Sequence, residues 1–215
     1  KIKGYEKVIF KYSKSRNCIL RIEAMTALNR LEEENCLNLL LSQKQYLSRL
    51  DINIIVNEAE INMKDDCDFQ ALIESPSPRV AAIGLLILKI KNKIEYKELI
   101  IPILENKDEF LCEIAWEVFT QIASTEEDFE IMTGNFKKLN NINKLSVIMA
   151  LKRFEHNDNL FDFLDKIIIN EPVLIKIEAF KILFESSIDR FLPYDKSNDK
   201  NITIAYNEVV DFNIS

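Results

Sequence analysis

Two stretches, LRIEAMTALNRL (Leu20–Leu31) and IKIEAFKILFES (Ile175–Ser186), carry Ile-Glu-Ala in register behind a basic residue. They lie 155 residues apart. A phrase written twice at such a distance points to a repeated structural unit, so the interval between them has to be read first. Anchoring on Ala24 and Ala179 and looking for the same phrase between them gives Ile54, Gly84, Ala115 and Val147, in steps of 30, 30, 31, 32 and 32 residues. The position after each anchor is apolar in all six cases: Met25, Ile55, Leu85, Trp116, Ile148 and Phe180. Four before the anchor stand Leu20, Leu50, Val80, Leu111, Asn143 and Ile175, and four after it Leu28, Glu58, Leu88, Phe119, Leu151 and Leu183. Columns at −4, 0, +1 and +4 share one face of an α-helix, so each unit contains a helix with a wide apolar face. The anchor is Ala, Gly or Val in four of six units, the small residues that a close helix contact requires.

A second helix is expected before each of these. CLNLLL (Cys36–Leu41), DFQALIE (Asp68–Glu74), YKELIIPILE (Tyr96–Glu105), EDFEIMTGNFKKL (Glu127–Leu139) and NLFDFLDKIII (Asn159–Ile169) fill those slots. Ser124-Thr125 before Glu126-Glu127, and Asn157-Asp158, are the expected caps. Pro102 should bend its helix. SPSP (Ser75–Pro78), NKDE (Asn106–Glu109) and NEP (Asn170–Pro172) read as the turns within pairs. With only three glycines and five prolines in 215 residues, the chain lacks the turn residues that a β-rich fold needs. An all-α fold follows.

Such a unit, with its polar or proline turn and an apolar-basic-x-x-Ala opening to the second helix, resembles the HEAT-repeat family in its short bacterial form. The matching residues are Leu20-Arg21…Ala24, Leu111-Cys112…Ala115 and Ile175-Lys176…Ala179, with Ser77-Pro78-Arg79-Val80 in place of the family's Asp-Pro-x-Val turn. The resemblance covers roughly residues 15–188. It implies a right-handed α-α superhelix, a solenoid of about six HEAT-like hairpins. It also implies a ladder between the basic residue and a neighbouring turn acid, which Arg21, Lys144 and Lys176 keep and Asp51, Ala81 and Cys112 break. More narrowly, the opening KIKGYEKVIFKYSKSRNCILRIEAMTAL (Lys1–Leu28) is similar to the start of the cytoplasmic HEAT region in membrane-anchored proteins of Bacteroidetes-type bacteria. That likeness implies a cytoplasmic chain tethered to the inner membrane by a segment preceding Lys1. No stretch of the chain itself approaches the ~18 apolar residues of a span.

Composition narrows the function. The net charge is −7 and the pI about 5.0, with Lys and Arg mixed among Asp and Glu. No nucleic-acid partner is expected, because phosphate neutralisation needs a basic face. Cys18, Cys36, Cys67 and Cys112 stand alone without metal-type spacing, so no structural zinc and a reducing compartment are expected. The sequons at Asn201 and Asn213 are what chance supplies in a chain with 20 asparagines. A lone histidine, His156, excludes HExxH and multi-histidine iron sites and reads as a solvated turn residue. Three scattered glycines exclude a P-loop and a dinucleotide fingerprint. Trp116 falls in the always-apolar column and is expected in the core. No cofactor and no catalytic residue are assigned.

What remains is a binding scaffold. A solenoid of helix pairs presents a curved face built from its second helices, and the positions the core needs least are −1, +2 and +6 from the anchor. These give Glu23, Asn53, Ser146 and Glu178; Glu117 and Lys181; and Arg30, Glu60, Gln121, Arg153 and Glu185. Their mixed signs fit a protein or peptide partner. The alternative is an enzymatic or nucleic-acid-modifying helical-repeat protein, and a third reading is an oligomerising structural unit. The repeat domain is placed at 1–188. Residues 189–215 form an extension that folds back over the last unit to cap it, or else a disordered terminus.

Overall fold

The computed structural model describes residues 6–13, 15–17, 20, 23–24, 27, 52, 56 and 69–214. Regular structure among them is helical throughout. Contacts divide the chain into two compact units, Lys1–Ile122 and Ala123–Ser215.

The first unit contains α1 (Glu6–Tyr12), α2 (Phe69–Ile73), α3 (Pro78–Ile90), α4 (Lys97–Ile100) and α5 (Glu109–Ile122). Pro78 opens α3, where its missing N–H costs nothing. The helix ends in a Schellman turn. Asn92 takes a left-handed φ of 50°, its N–H donates to the Lys89 carbonyl, and the Lys93 N–H donates to Leu88. Pro102 has the expected effect: α4 gives way to a 3-10 segment at Ile101–Glu105, because proline cannot supply an α-helical donor. α3 packs on α2 and on α5, and the 3-10 segment packs on α5. Gly84 shows why an anchor is small. A Cβ there would lie 2.7 Å from Leu72 Cβ and 3.2 Å from the Ile73 backbone nitrogen.

The second unit contains α6 (Glu126–Asn135), α7 (Asn141–Leu151), α8 (Leu160–Asn170), α9 (Val173–Ser186), α10 (Ile188–Phe191) and α11 (Lys200–Ile214). Thr125 and Asp128 form a complete capping box at the start of α6, and Asn140 Oδ1 accepts from the Asn143 N–H at the start of α7. The expected cap at Asn157 takes a different form. Its Oδ1 accepts from the Asn159 N–H within the turn, while its Nδ2 donates to Glu126 Oε1 at 2.6 Å. Asn157 is buried by that second bond, so it ties two turns together instead of capping α8. α9 packs on α8, α7 and α11.

The sequence columns become the core. Gly84, Ala115, Val147 and Ala179 are buried, as are Leu85, Trp116, Ile148 and Phe180, and Leu88, Phe119, Leu151 and Leu183. Asn143, the polar exception in its column, is buried too. Leu20 departs from the expectation. It sits in a first turn, its N–H held by Asn17 Oδ1, and about half of it is exposed. The weak unit around Ile54, and the first-helix slot Cys36–Leu41, lie outside the described residues.

Residues 189–215, set apart in the sequence as an extension, fold back as a further hairpin. α11 lies on α9 with Ala205, Tyr206 and Val209 buried, the same 0, +1, +4 pattern 26 residues after Ala179. An aromatic cluster fixes it. Phe191 stacks on Tyr206 at 4.4 Å between ring centroids, and Phe180 meets Phe191, Tyr194 and Tyr206 edge-on at 5.1–6.0 Å. Asp199 Oδ1 accepts from the Asn201 and Ile202 N–H groups and so starts α11. The hairpin's polar residues Asn201, Asn207, Glu208 and Asp211 face solvent, as a terminal capping unit requires.

Candidate partner-binding face

The long-range polar links are spaced by about one sequence repeat. In the first unit Lys89 Nζ donates to Glu117 Oε1 at 2.6 Å, 28 residues on. In the second, Asn157 reaches Glu126 across 31 residues and Lys144 reaches Glu171 across 27. Arg190 reaches Asp162 across 28, Tyr194 reaches Asp165 across 29, and Lys152 pairs with Glu185. Equivalent positions of consecutive helix pairs are thus laid side by side.

The basic column at −3 does two jobs. Lys144 keeps the expected rung to a neighbouring turn: its ammonium donates to both Glu171 oxygens at 2.7 and 2.9 Å, with both side chains largely shielded from water. Lys176 turns instead to its own hairpin. Its Nζ donates to the Ile168 carbonyl and, at 3.1 Å, to that of Ile169, covering the open end of α8. Burial pushes this ammonium down from its ordinary value, against the pull of Asp199 and Glu171. Cys112 copies the arrangement, with Sγ donating to the Leu104 carbonyl eight residues back at 3.1 Å. That carbonyl also accepts from Trp116 Nε1 at 3.1 Å, so the buried indole is satisfied inside the core. Burial, with Glu113 and Glu105 nearby, pushes the Cys112 thiol up, away from the reactive thiolate.

The candidate positions on the second helices are solvent-facing or half-buried wherever they are described. Glu23, Gln121, Arg153 and Glu185 are exposed, and Glu117, Ser146, Glu178 and Lys181 are half-buried. Arg30, Asn53 and Glu60 lie outside the described residues. In the first unit α5 carries Glu117 and Gln121. In the second, α7 with the turn after it carries Ser146 and Arg153 beside Glu178, Lys181 and Glu185 of α9. Much of the charge is spent internally. Glu117 holds Lys89, Glu178 holds Lys181 at 2.7 Å, and Glu185 holds Lys152.

Sequence reasoning passed over the apolar residues beside them. Ile142 and Met149 on α7 are 69% and 66% exposed, and Leu174 on α9 is 59% exposed. Ile142 and Leu174 occupy the same place, five before the anchor, in consecutive units, and Met149 stands at +2. The available signal was apolar residues outside the core columns. His156 is almost fully exposed on its turn. Among the described residues no three His, Cys, Asp or Glu side chains group to hold a metal ion. The carboxylates Asp162 and Asp165 are bridged by Arg190 at 2.7 and 3.1 Å, and Tyr194 donates to Asp165 at 2.8 Å. That set ties α8 to the C-terminal hairpin, and burial with the bond to Asp165 drives the Tyr194 phenol well up.

No family model matches the chain, and no curated protein matches it. A solved structure of an engineered protein, Northeast Structural Genomics Consortium target OR329, aligns over 97% of this chain and 96% of its own. The two share 12% of residues at a TM-score of 0.45, a likeness too distant to carry an argument about fold or function. No helix among the described residues is long and apolar enough to cross a membrane.

Proposed function

We propose that the chain is a non-enzymatic interaction scaffold, a HEAT-type right-handed solenoid working in the cytoplasm and binding a protein or peptide through its second-helix face. The observation that carries this reading is the face shared by α7 and α9. There, Ile142, Met149 and Leu174 stand uncovered among side chains whose charges are matched by Lys152–Glu185 and Glu178–Lys181. An apolar surface set in self-neutralised polar residues suits another polypeptide, since exposed apolar groups supply affinity and the polar surround supplies register. It offers little to a polyanion, which needs uncompensated cations. The repeat columns and the repeat-spaced links support the solenoid.

The test is affinity capture from the native cell with wild type and with Met149→Asp/Leu174→Asp. Both positions are exposed, so the variant is expected to keep its helical circular dichroism. A specific partner should be retained at least about tenfold less, the loss of one or two well-buried apolar anchors. Equal capture of the same partner by both proteins would move the binding surface elsewhere.

A further inference from the structure

The charge of this acidic chain is unevenly spread. Residues 1–17 hold six of its 28 Lys and Arg and one of its 35 Asp and Glu, so that segment carries +5 and the other 198 residues −12. Within it, α1 is a short helix whose Val8, Phe10 and Tyr12 are 43–49% exposed. Lys7 and Lys11 are exposed as well, and so is Arg16 just beyond. Lys7 and Lys11 are four apart and share one line along the helix; Val8 and Tyr12 are four apart and share the next, about 100° round. An apolar stripe flanked by a cationic one is the arrangement of a helix lying in the headgroup layer of a bilayer. The apolar side chains dip toward the acyl boundary while the lysines reach up to phosphates, and tyrosine favours that depth.

We propose that residues 1–17 dock on an anionic lipid surface, with Val8 and Tyr12 inserted and Lys7, Lys11 and Arg16 on the lipid phosphates. The −12 carried by the remainder is repelled from such a surface, so this segment sets the orientation and the second-helix face stays available. A nucleic acid would use the same cations but has no place for Val8. The proposal does not depend on the scaffold reading, because it concerns a different part of the chain and a different ligand.

The experiment is co-sedimentation of the 215-residue chain with vesicles of phosphatidylcholine alone and of phosphatidylcholine containing about one-third phosphatidylserine. The chain should pellet with the anionic vesicles only, and release as salt is raised past the point where the Debye length shortens to a few ångströms. Lys7→Gln/Lys11→Gln should weaken binding about thirtyfold, from roughly one kcal/mol per cation at a charged surface. Val8→Ser/Tyr12→Ser should weaken it as well while leaving the salt response in place. Circular dichroism of each variant checks that the fold is intact. Three results would overturn the proposal: no binding to anionic vesicles, binding unchanged in both variants, or duplex DNA bound as tightly as vesicles with no effect of Val8→Ser/Tyr12→Ser.

Discussion

Gly84 and Gly134 are both helical, and their surroundings give them opposite roles. At Gly84 a methyl group would meet Leu72 Cβ at 2.7 Å, a distance real Cβ atoms do not tolerate, so α2 would have to move. Overpacking of this kind costs about 1–3 kcal/mol, against roughly 1 kcal/mol recovered in helix propensity. Gly84→Ala is therefore expected to be net destabilising by about 1 kcal/mol, and Gly84→Val by more. At Gly134 nothing lies within 4 Å of such a methyl, and Gly134→Ala should stabilise by about 0.5–1 kcal/mol. Urea unfolding of the two variants checks both signs. The close contact at Gly84 was legible in the sequence, since small residues recur at the anchor while its neighbours stay large. The exposed Ile142, Met149 and Leu174 were harder to see, because exposure depends on what the neighbouring helices leave uncovered.

At the level of the helix, the −3 column shows how a sequence pattern can be right about placement and incomplete about use. Lys144 and Lys176 occupy the same register, yet one bridges to the next turn and the other closes the end of its own hairpin's first helix. The choice follows from what stands opposite. Glu171 lies within reach of Lys144, whereas Lys176 meets the bare carbonyls of Ile168 and Ile169. Cys112 breaks the basic pattern and still donates in the same direction. A pH consequence follows for Lys176. Its folded value lies below the ordinary 10.5, so between the two the unfolded chain binds more protons and stability rises with pH. Below the folded value both states are protonated and the cost of burying the charge is constant. The unfolding free energy of wild type minus that of Lys176→Gln should accordingly climb as pH is raised toward 10.5. A flat difference would mean the ammonium is fully solvated.

At the scale of the molecule, contacts part the chain between Ile122 and Ala123, while the sequence drew its boundary at 188, where the apolar columns ran out. The period gives no hint of the former, since Ala115 and Val147 are one ordinary step apart. The helical hairpin after 188 was masked by its polar linker and by a step of 26 residues instead of 30–32. The unit Ala123–Ser215 owns a capped first helix, a continuous core and a polar last helix. Residues 123–215 expressed alone should therefore be helical by circular dichroism and unfold cooperatively. A disordered spectrum would show that this half needs α5 to fold.

The chain has one tryptophan, and it sits in the first unit, with its indole nitrogen on the Leu104 carbonyl and its ring edge-on to Phe119. Its emission is thus a private signal. Fluorescence will register the loosening of α5 and remain blind to the half that carries Ile142, Met149 and Leu174, while the far-ultraviolet spectrum sums both. Any gap between the two melting curves is a direct reading of how independently the halves come apart.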